Sequence, residues 1–440
     1  MSVVDRIDDL IQLDQARVNI EVYTSEEIFQ EELDNIWYKT WVFLGHESEV
    51  RQPGDYKTTY IGLVPVIVSR DEDGGINALI NRCIHRGTTV CQQEHGNSQF
   101  FKCEYHGWVY GNNGALLGTT MRNGYDPREL ARFEKGLQRV ARVDSYRGMI
   151  FGSLAEEGET LFEHLGNAAY WLDCFADQSP VGEIDFTKGV WNHRYRGNWK
   201  LQYEGSDEGY HPAHLHRVAF EHFGRMAEKN GLARTNRGGG GAPGGNVAAD
   251  LLHGHSILGA GSGILARNAE DVQRPRLSPR YPESYIDSIA ERVGNDPVRL
   301  ADTLGGWRLA IFPNLAVSRN NVRVMRPLRH DLTEVKQWYI HAVGAPDEVN
   351  IAKVREEQDF YGPAGFGSPD DLECFERMQE GYKVASWDGA YPWAWFNRQL
   401  LRQWEGPNGE RCNEYSGEAE VFAIYHEWKK LMAASVSTRR

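Results

Sequence analysis

Two cysteine–histidine pairs in the segment Asn81–Trp108 restrict what this chain can fold into more than any other feature of its sequence. Their spacing is Cys83-x-His85-x17-Cys103-x2-His106. The 440-residue chain has only six cysteines, and three of them lie in this segment. Because thiolates and imidazoles are good metal ligands, two such pairs on neighbouring loops can hold one metal centre. The segment therefore predicts a metal-binding fold.

The residues around these pairs have the pattern of short β-strands. Val64–Arg70 and Ile76–Ile80 are rich in β-branched residues and are joined by DEDGG, which predicts a turn. The sequence FFKCEYHGWVY precedes a second turn at Gly111–Gly114, and Met149–Leu154 is another apolar run. Residues 42–156 are therefore expected to form an all-β unit with each Cys/His pair near the tip of a hairpin.

The alternation of the ligand types favours an iron–sulfur cluster over a structural zinc site. Zinc sites prefer Cys-x2–4-Cys spacing, whereas each cysteine here is paired with a histidine. A cluster with thiolates on one iron and imidazoles on the other suits this arrangement, and its neutral imidazoles raise the reduction potential. Cys91 and His95 lie between the pairs, and we interpret them as structural.

A second group of histidines follows in the segment Gly197–His216, which reads GNWKLQYEGSDEGYHPAHLH. Helical spacing would place His211 and His214 on one face. Pro212 predicts that the helix is interrupted, which allows His216 to take the place of His214. Two histidines and one carboxylate on one side of an iron leave the opposite side open for oxygen and substrate.

Both groups resemble motifs of the Rieske non-haem iron ring-hydroxylating oxygenases, and specifically of their large (α) subunit. The flanks NRCIHRG and CEYHGW and the block NWKLQYEGSDEGYH carry the resemblance. It implies that a Rieske [2Fe–2S] cluster is bound by Cys83, His85, Cys103 and His106.

The same resemblance implies a mononuclear Fe(II) bound by His211, His216 and a distant carboxylate. The segment Tyr361–Glu376 is similar to the GPAG…(E/D)-D segment of the family, in which the second acid is the ligand. That acid is Asp371 here, and Asp370 is the alternative.

Two positions depart from the family pattern. Glu208 stands three residues before His211, where the family usually has an aspartate that hydrogen-bonds the iron histidine and the outer Rieske histidine. Either Glu208 or the preceding Asp207 is expected to take this bridging role. Gly205 replaces the asparagine that usually follows Glu204, so that any role of that amide is absent or moved.

The resemblance extends over nearly the whole chain and implies an α+β fold. An all-β Rieske domain, residues 42–156, would be inserted in a catalytic domain of the helix-grip type, residues 1–41 and 157–440. The alternating runs Arg308–Leu328 and Thr333–Pro346 fit the antiparallel sheet of that domain.

The implied function is that of a terminal oxygenase that uses O2 to cis-dihydroxylate an aromatic compound, with an aromatic carboxylate as the suggested substrate. Electrons would come from a ferredoxin or an NAD(P)H-dependent reductase. A small β subunit and an assembly of three α subunits, alone or with three β subunits, are also implied. The alternatives are a Rieske monooxygenase that hydroxylates or demethylates, and a pure Rieske electron carrier.

Substrate contacts are less well defined by the sequence. Arg225, Arg234 and Arg237 are candidates for binding a carboxylate, although exposed arginines are common. The glycine-rich stretch Arg237–Gly245 neither follows a predicted strand nor opens a helix, so it is interpreted as a linker or as a flap over the site, and not as a phosphate-binding loop.

Charge and hydropathy exclude two classes of partner. The formal net charge of −14 disfavours nucleic acid and anionic lipid. No run approaches the ~20 apolar residues of a membrane span, and the N-terminus MSVVDRIDDL lacks the features of a secretory signal. A cytoplasmic location is therefore expected.

Overall fold

The computed structural model describes residues 3–133, 135–229, 246–260, 265 and 281–434. The chain divides into two compact units, one made of Trp37–Leu161 with Asp185–Thr187 and the other of Met1–Ile36, Phe162–Ile184 and Lys188–Arg440. The first is built on β-sheets and the second combines helices with a large antiparallel sheet. The predicted α+β class is confirmed, while the boundaries at residues 42 and 156 stay a prediction.

The helices of the described residues, in chain order, are α1 Ile7–Leu10, α2 Glu21–Thr24, α3 Glu26–Glu32, α4 Pro127–Leu130, α5 Leu161–Leu165, α6 Ala168–Ala176, α7 Trp199–Asp207, α8 His211–His214, α9 Arg217–Lys229, α10 Glu283–Arg292, α11 Pro297–Leu304, α12 Asp347–Tyr361, α13 Ser368–Tyr382 and α14 Ala419–Ala433.

The strands are β1 Ile11–Gln12, β2 Arg17–Asn19, β3 Val42–His46, β4 Asp55–Ile61, β5 Val64–Arg70, β6 Ile76–Ile80, β7 His95–Asn97, β8 Phe100–Lys102, β9 Val109–Gly111, β10 Leu116–Gly118, β11 Arg142–Tyr146, β12 Met149–Ser153, β13 Ile184–Asp185, β14 Val190–Tyr195, β15 Asn246–Leu252, β16 His255–Ala260, β17 Arg308–Ile311, β18 Leu315–Ser318, β19 Asn321–Arg329, β20 Leu332–Tyr339, β21 His341–Ala342, β22 Trp393–Trp395, β23 Trp404–Glu405 and β24 Arg411–Glu414.

The β unit contains three small antiparallel sheets, with strand orders β6-β5-β4-β7, β10-β9-β8 and β11-β12-β3. The predicted turn DEDGG connects β5 and β6, whose cross-strand partners Ile67 and Leu79 are fully buried. Together with Trp108 and Tyr110 they form one hydrophobic cluster that includes Cys83 and Cys103. The core of this unit therefore lies directly behind the Cys/His pairs.

The second unit is organised around an antiparallel sheet of nine described strands in the order β14-β20-β19-β18-β17-β16-β15-β24-β23. At the β14 end only one face is covered, because β14 alternates between exposed residues and residues that are at least partly buried. Further along, β18 is buried on both faces. Helices α7, α12 and α13 lie on the covered side and position the candidate site there.

Helix α7 is fixed in the core by polar contacts as well as by packing. The Asn198 side chain accepts a hydrogen bond from the Lys200 backbone N–H, which caps the helix. Lys200 Nζ lies 2.6 Å from Glu32, and both side chains are completely buried. Indole N–H groups of Trp199 and Trp428 donate to the same carboxylate. A buried pair needs such additional hydrogen bonds, and breaking it would destabilise α7.

None of the described helices combines the length and apolar character that a membrane crossing needs.

Candidate metal centres

Two loops of matching geometry hold the Cys/His pairs. Cys83 N–H donates to Thr88 O and Cys83 O accepts from Gly87 N–H, while Cys103 forms the same pair of bonds with Trp108 O and Gly107 N–H. Gly87 and Gly107 have φ values of +87° and +68°. Glycine adopts this conformation readily, and a Cβ on Gly107 would also collide with the Thr120 hydroxyl.

The donor atoms of this site fit a metal cluster. The Cys83 and Cys103 thiols are free and 1% exposed. Burial and the hydrogen bond to Cys83 raise the pKa of the neighbouring Tyr110, and Cys103 adds to this shift. The rings of His85 and His106 are 4.5 Å apart. His85 Nδ1 is buried and has no hydrogen-bond partner among the residues that the structure describes. Such an orphaned nitrogen is costly unless another group, such as a metal, binds it.

Neighbouring side chains hold the ligand loops in place. The His85 ring stacks on Trp108 at 4.8 Å with an interplanar angle of 1°. Asn81 Oδ1 accepts from the Cys91 backbone N–H and Asn81 Nδ2 donates to Cys91 O, at 3.0 and 2.7 Å. Cys91 is buried, whereas His95 is exposed in β7. Cys91 thus lies in the hydrophobic cluster of this unit, and its purely structural role stays a prediction.

The second site brings together His211, His216 and Asp371. One nitrogen of each histidine and one Asp371 oxygen lie within 4.8 Å of one another. Asp371 Oδ1 is 2.9 Å from His216 Nε2 and 3.6 Å from His211 Nε2. Two imidazoles and one carboxylate converge in the manner of a 2-His-1-carboxylate iron site. Within the described part of the chain, His216 Nδ1 is buried without a hydrogen-bond partner, and Asp370 Oδ2 lies 3.8 Å from it.

Local structure explains why His216 and not His214 joins this group. Helix α8 ends at His214, and His216 lies in the turn before α9. His214 is exposed, while His216 is 1% exposed. The rings of Phe360 and Phe220 lie 5.0 and 6.3 Å from the His216 ring. These rings exclude water from one side of the site.

Glu208 orients His211 from behind. Helix α7 ends at Asp207, and Glu208 Oε2 then lies 2.7 Å from His211 Nδ1. The same carboxylate accepts hydrogen bonds from the backbone N–H groups of Tyr210 and His211, which caps α8. An acceptor on Nδ1 leaves Nε2 free to bind a metal. The side chain of Asp207, the alternative bridging acid, lies outside the described residues.

Asp371 is positioned by the way α13 packs on α7. A Cβ on Gly205 would lie 2.5 Å from Phe375 Cζ, so the ring occupies the place where any other residue would have a side chain. One residue on, Glu376 binds the Arg196 guanidinium at 2.6 and 3.0 Å. Gln379 accepts from the Asn198 N–H at 2.9 Å. These contacts hold the first turn of α13 against the histidines.

Of the three arginines proposed as carboxylate ligands, the structure describes only one. Arg225 is exposed on α9, while Arg234 and Arg237, with the stretch Arg237–Gly245, lie outside the described residues. Sequence reasoning missed Phe375, which no motif identifies, and Arg323, which is 5% exposed on the covered face of the sheet. The sequence offers no clear signal for Arg323, because both phases of its strand contain apolar residues.

Comparison with known proteins agrees with this geometry. Residues 40–133 match the family model described as the Rieske [2Fe-2S] domain, and residues 187–412 match that of the ring hydroxylating alpha subunit (catalytic domain). The chain is 33% identical to the large subunit of 2-halobenzoate 1,2-dioxygenase from Burkholderia cepacia, over 83% of this chain and 77% of that protein. It is 32% identical to the α subunit of toluate 1,2-dioxygenase from Pseudomonas putida, over 86% and 83%.

Among solved structures, naphthalene 1,2-dioxygenase with indole bound in the active site aligns with a TM-score of 0.84 at 25% identity. The alignment covers 99% of this chain and 96% of that one.

Proposed function

The chain belongs to the Rieske non-haem iron ring-hydroxylating oxygenases, as a large (α) subunit, and we propose that its substrate is an aromatic carboxylate. It is an O2-dependent oxidoreductase with a Rieske [2Fe–2S] cluster and a mononuclear iron. The convergence of His211, His216 and Asp371 is the observation that carries the oxygenase function. The substrate class is supported by the two relatives above, because halobenzoate and toluate are both ring acids.

The residues that would hold the two groups follow from the geometry. The cluster would be bound by Cys83, His85, Cys103 and His106, and the iron by His211, His216 and Asp371. When bound, the cluster supplies one-electron transfer and the iron supplies open positions for oxygen activation. For cis-dihydroxylation, the aromatic acid takes up both atoms of O2 with two electrons and two protons.

Individual side chains then have defined tasks. Glu208 accepts a hydrogen bond from the Nδ1–H of His211, which fixes the tautomer and turns Nε2 toward the metal position. Phe360 and Phe220 keep water away from His216. Asp371 completes the triad from the N-terminal turn of α13, where the helix dipole stabilises its negative charge.

Glu208 is also proposed as the acid that links the iron histidine to a Rieske histidine, with Asp207 as the alternative. Glu208→Gln is expected to keep its iron but to slow product formation and electron transfer to the iron site, because the carboxylate that orients His211 is lost. Asp207→Asn is the matched control, since it changes the adjacent acid by the same chemistry. Equal rates for Glu208→Gln and wild type would assign the bridge to another residue.

The ligand roles can be tested with paired neighbours. Asp371→Ala and His216→Ala are each expected to lose the mononuclear iron while the Rieske absorbance persists. Asp370→Ala and His214→Ala remove the same groups from adjacent positions and are expected to retain iron. Loss of iron in Asp370→Ala with retention in Asp371→Ala would transfer the ligand role to Asp370.

Electron donors and subunits complete the proposal. A ferredoxin or an NAD(P)H-dependent reductase would reduce the cluster, and three α subunits, alone or with three small β subunits, would assemble in the cytoplasm. Large-subunit membership of the family supports this expectation. Sedimentation of the purified protein, with and without a co-expressed β subunit, measures the assembly directly.

The decisive experiment is turnover of ring acids in 18O2 with a matched reductase. Dihydroxylation places two labelled atoms in a cis-diol. One labelled atom per product would instead establish the monooxygenase alternative. An absence of oxygen uptake, with only the two cluster irons bound per chain, would establish a pure electron carrier.

A further inference from the structure

A group of polar side chains lies on the covered face of the nine-stranded sheet, near its β14 end. In the strand register, Arg323 on β19 lies directly opposite Gln337 on β20, and Gln337 lies opposite Trp191 on β14. His193, two residues beyond Trp191, shares its face because alternate residues of a strand point the same way. Arg323 is 5% exposed and Gln337 is completely buried. These side chains are therefore turned toward the helices and away from bulk water.

The hydrogen-bonding capacity of this group is largely unused. Gln337 Nε2 and Oε1, Arg323 Nε and both ring nitrogens of His193 are buried, and among the described residues they have no hydrogen-bond partner. Each buried polar atom without a partner costs about 1–3 kcal/mol. Such a concentration of unpaired polar atoms is uncommon in a folded protein unless another molecule supplies the partners.

The charge of this group favours an anion. The Arg323 guanidinium lies 4.9 Å from the Tyr361 ring. Glu357 is near enough for the arginine to affect its pKa, but its carboxylate accepts a hydrogen bond from Asn321, and burial raises the pKa of Glu357. Burial and the charge of Arg323 lower the pKa of His193 to about 4, so that its ring is neutral at pH 7. Within the group, Arg323 is thus the cation, and Gln337 and His193 are neutral at pH 7.

Its position connects it with the proposed iron site. Tyr361, which contacts Arg323, directly follows Phe360 at the end of α12, and the two rings are 4.6 Å apart. Phe360 in turn packs against the His216 ring at 5.0 Å. One pair of aromatic side chains therefore reaches from the iron histidine to the guanidinium.

We propose that Arg323, Gln337 and His193 form a subsite that binds the carboxylate of an aromatic acid substrate. The inference rests on the proposed function and deepens it by naming the residues that select acids over neutral arenes. Arg323 would supply charge-assisted hydrogen bonds. Gln337 and His193 would each add an N–H donor.

The test compares acids with their neutral amides in the reduced, iron-loaded holoenzyme under nitrogen. The probes are benzoate, 2-chlorobenzoate, 3-methylbenzoate and 2-aminobenzoate, each with its amide, and dissociation constants are measured by calorimetry. Wild type is expected to bind at least one acid more tightly than its amide. Arg323→Met is expected to weaken acid binding by roughly 10- to 100-fold, the range for hydrogen bonds to a charged group, and to leave amide binding nearly unchanged.

The controls separate recognition from folding. Arg326→Met removes the same charge from β19, but on the opposite face, where Arg326 pairs with Glu334 at 3.3 Å, and it is expected to bind acids like wild type. Arg323→Lys keeps the charge and is expected to restore part of the acid affinity. Iron content and melting temperature show which variants are folded.

If Arg323→Met does not fold, Gln337→Leu decides the question. It removes two unpaired buried atoms, and we expect it to fold and to lose affinity for acids relative to amides. If Arg323→Met folds and binds acids as tightly as wild type, the subsite is overturned and the proposed function stays in place. If Arg323→Met does not fold, the same result in Gln337→Leu overturns the subsite. If wild type binds none of the acids and oxidises none, the substrate class and the subsite both fail.

Discussion

Replacing Gly205 by asparagine, the residue that usually stands at this position in the family, is expected to weaken iron binding without touching a ligand. The ring of Phe375 fills the space beside the Gly205 Cα and also packs against Tyr195 at 5.5 Å. Phe375 lies one helical turn after Asp371 on α13. A side chain at residue 205 would therefore displace α13, and with it the carboxylate of the triad.

The size of the effect follows from the distance. A Cβ placed 2.5 Å from Phe375 Cζ cannot be accommodated unless the ring or the helix moves, and such overpacking costs about 1–3 kcal/mol. This corresponds to a fall in melting temperature of roughly 2–6 °C. Because residues that support metal ligands typically change metal affinity by about 10- to 100-fold, we expect a loss in that range for Fe(II).

The assay is competition for Fe(II) with a chromogenic chelator, with Rieske absorbance as the internal measure of protein concentration. Gly381→Asn is the matched control, because Gly381 lies on α13 and a Cβ there meets nothing within 4 Å. The double variant Gly205→Asn/Phe375→Ala is expected to recover iron affinity, since the new side chain can occupy the space of the ring. Wild-type iron affinity in Gly205→Asn, or strictly additive effects in the double variant, would refute the reasoning.

Two further predictions concern groups away from the iron. Tyr110→Phe removes a hydroxyl 3.1 Å from Cys83 Sγ. Because hydrogen bonds to sulfur stabilise the reduced cluster, the Rieske potential should fall by ~40 mV, the equivalent of ~1 kcal/mol. An unchanged potential in a redox titration would contradict this. Burial raises the pKa of Glu204 from 4.5 to about 7. Between these values the unfolded chain loses the proton that the folded chain keeps, so stability falls as pH rises. Glu204→Gln should therefore gain up to roughly 3 kcal/mol relative to wild type between pH 5 and pH 8 in urea denaturation, and a pH-independent difference would exclude this origin.

The Rieske site was predictable because its geometry is local. Each ligand pair occupies one short loop, and the glycine that permits the loop, Gly87 or Gly107, lies within four residues of the cysteine. Family motifs of this kind record both the ligands and the turn that presents them. No long-range information is needed to place Cys83 relative to His85.

The histidines proposed as iron ligands come from the sequence pattern, and the structure brings them together with Asp371, but the predicted helix break was misplaced. The chain leaves the helical conformation at Glu208, after α7, whereas Leu215, in the turn between α8 and α9, keeps helical backbone angles. Pro212 lies in the first turn of α8 and does not interrupt it. A proline is favourable at this position, because its missing N–H would have no helical partner there. The extended conformation of Glu208 is instead fixed by its side chain, which caps the new helix.

The alternation of residues along β19 does not by itself show that Arg323 is buried. In the strand that contains it, Asn321, Arg323 and Met325 alternate with Val322 and Val324. Both phases contain apolar residues, so the sequence does not show which face is covered. Only the pairing of β19 with its neighbours and the packing of α12 place the arginine inside.

Gly205 and Phe375 also explain why the proposed iron ligands can keep their positions although residue 205 departs from the family pattern. The two residues lie on different helices and are far apart in sequence, yet one side chain occupies the space that the other lacks. A change at either position alone is penalised, by a clash or by a cavity. They are therefore expected to change together, so that homologues with asparagine at the position of Gly205 carry a smaller residue at that of Phe375. The family motif thus predicts which residues bind iron, while the distance between them depends on how Gly205 packs against Phe375.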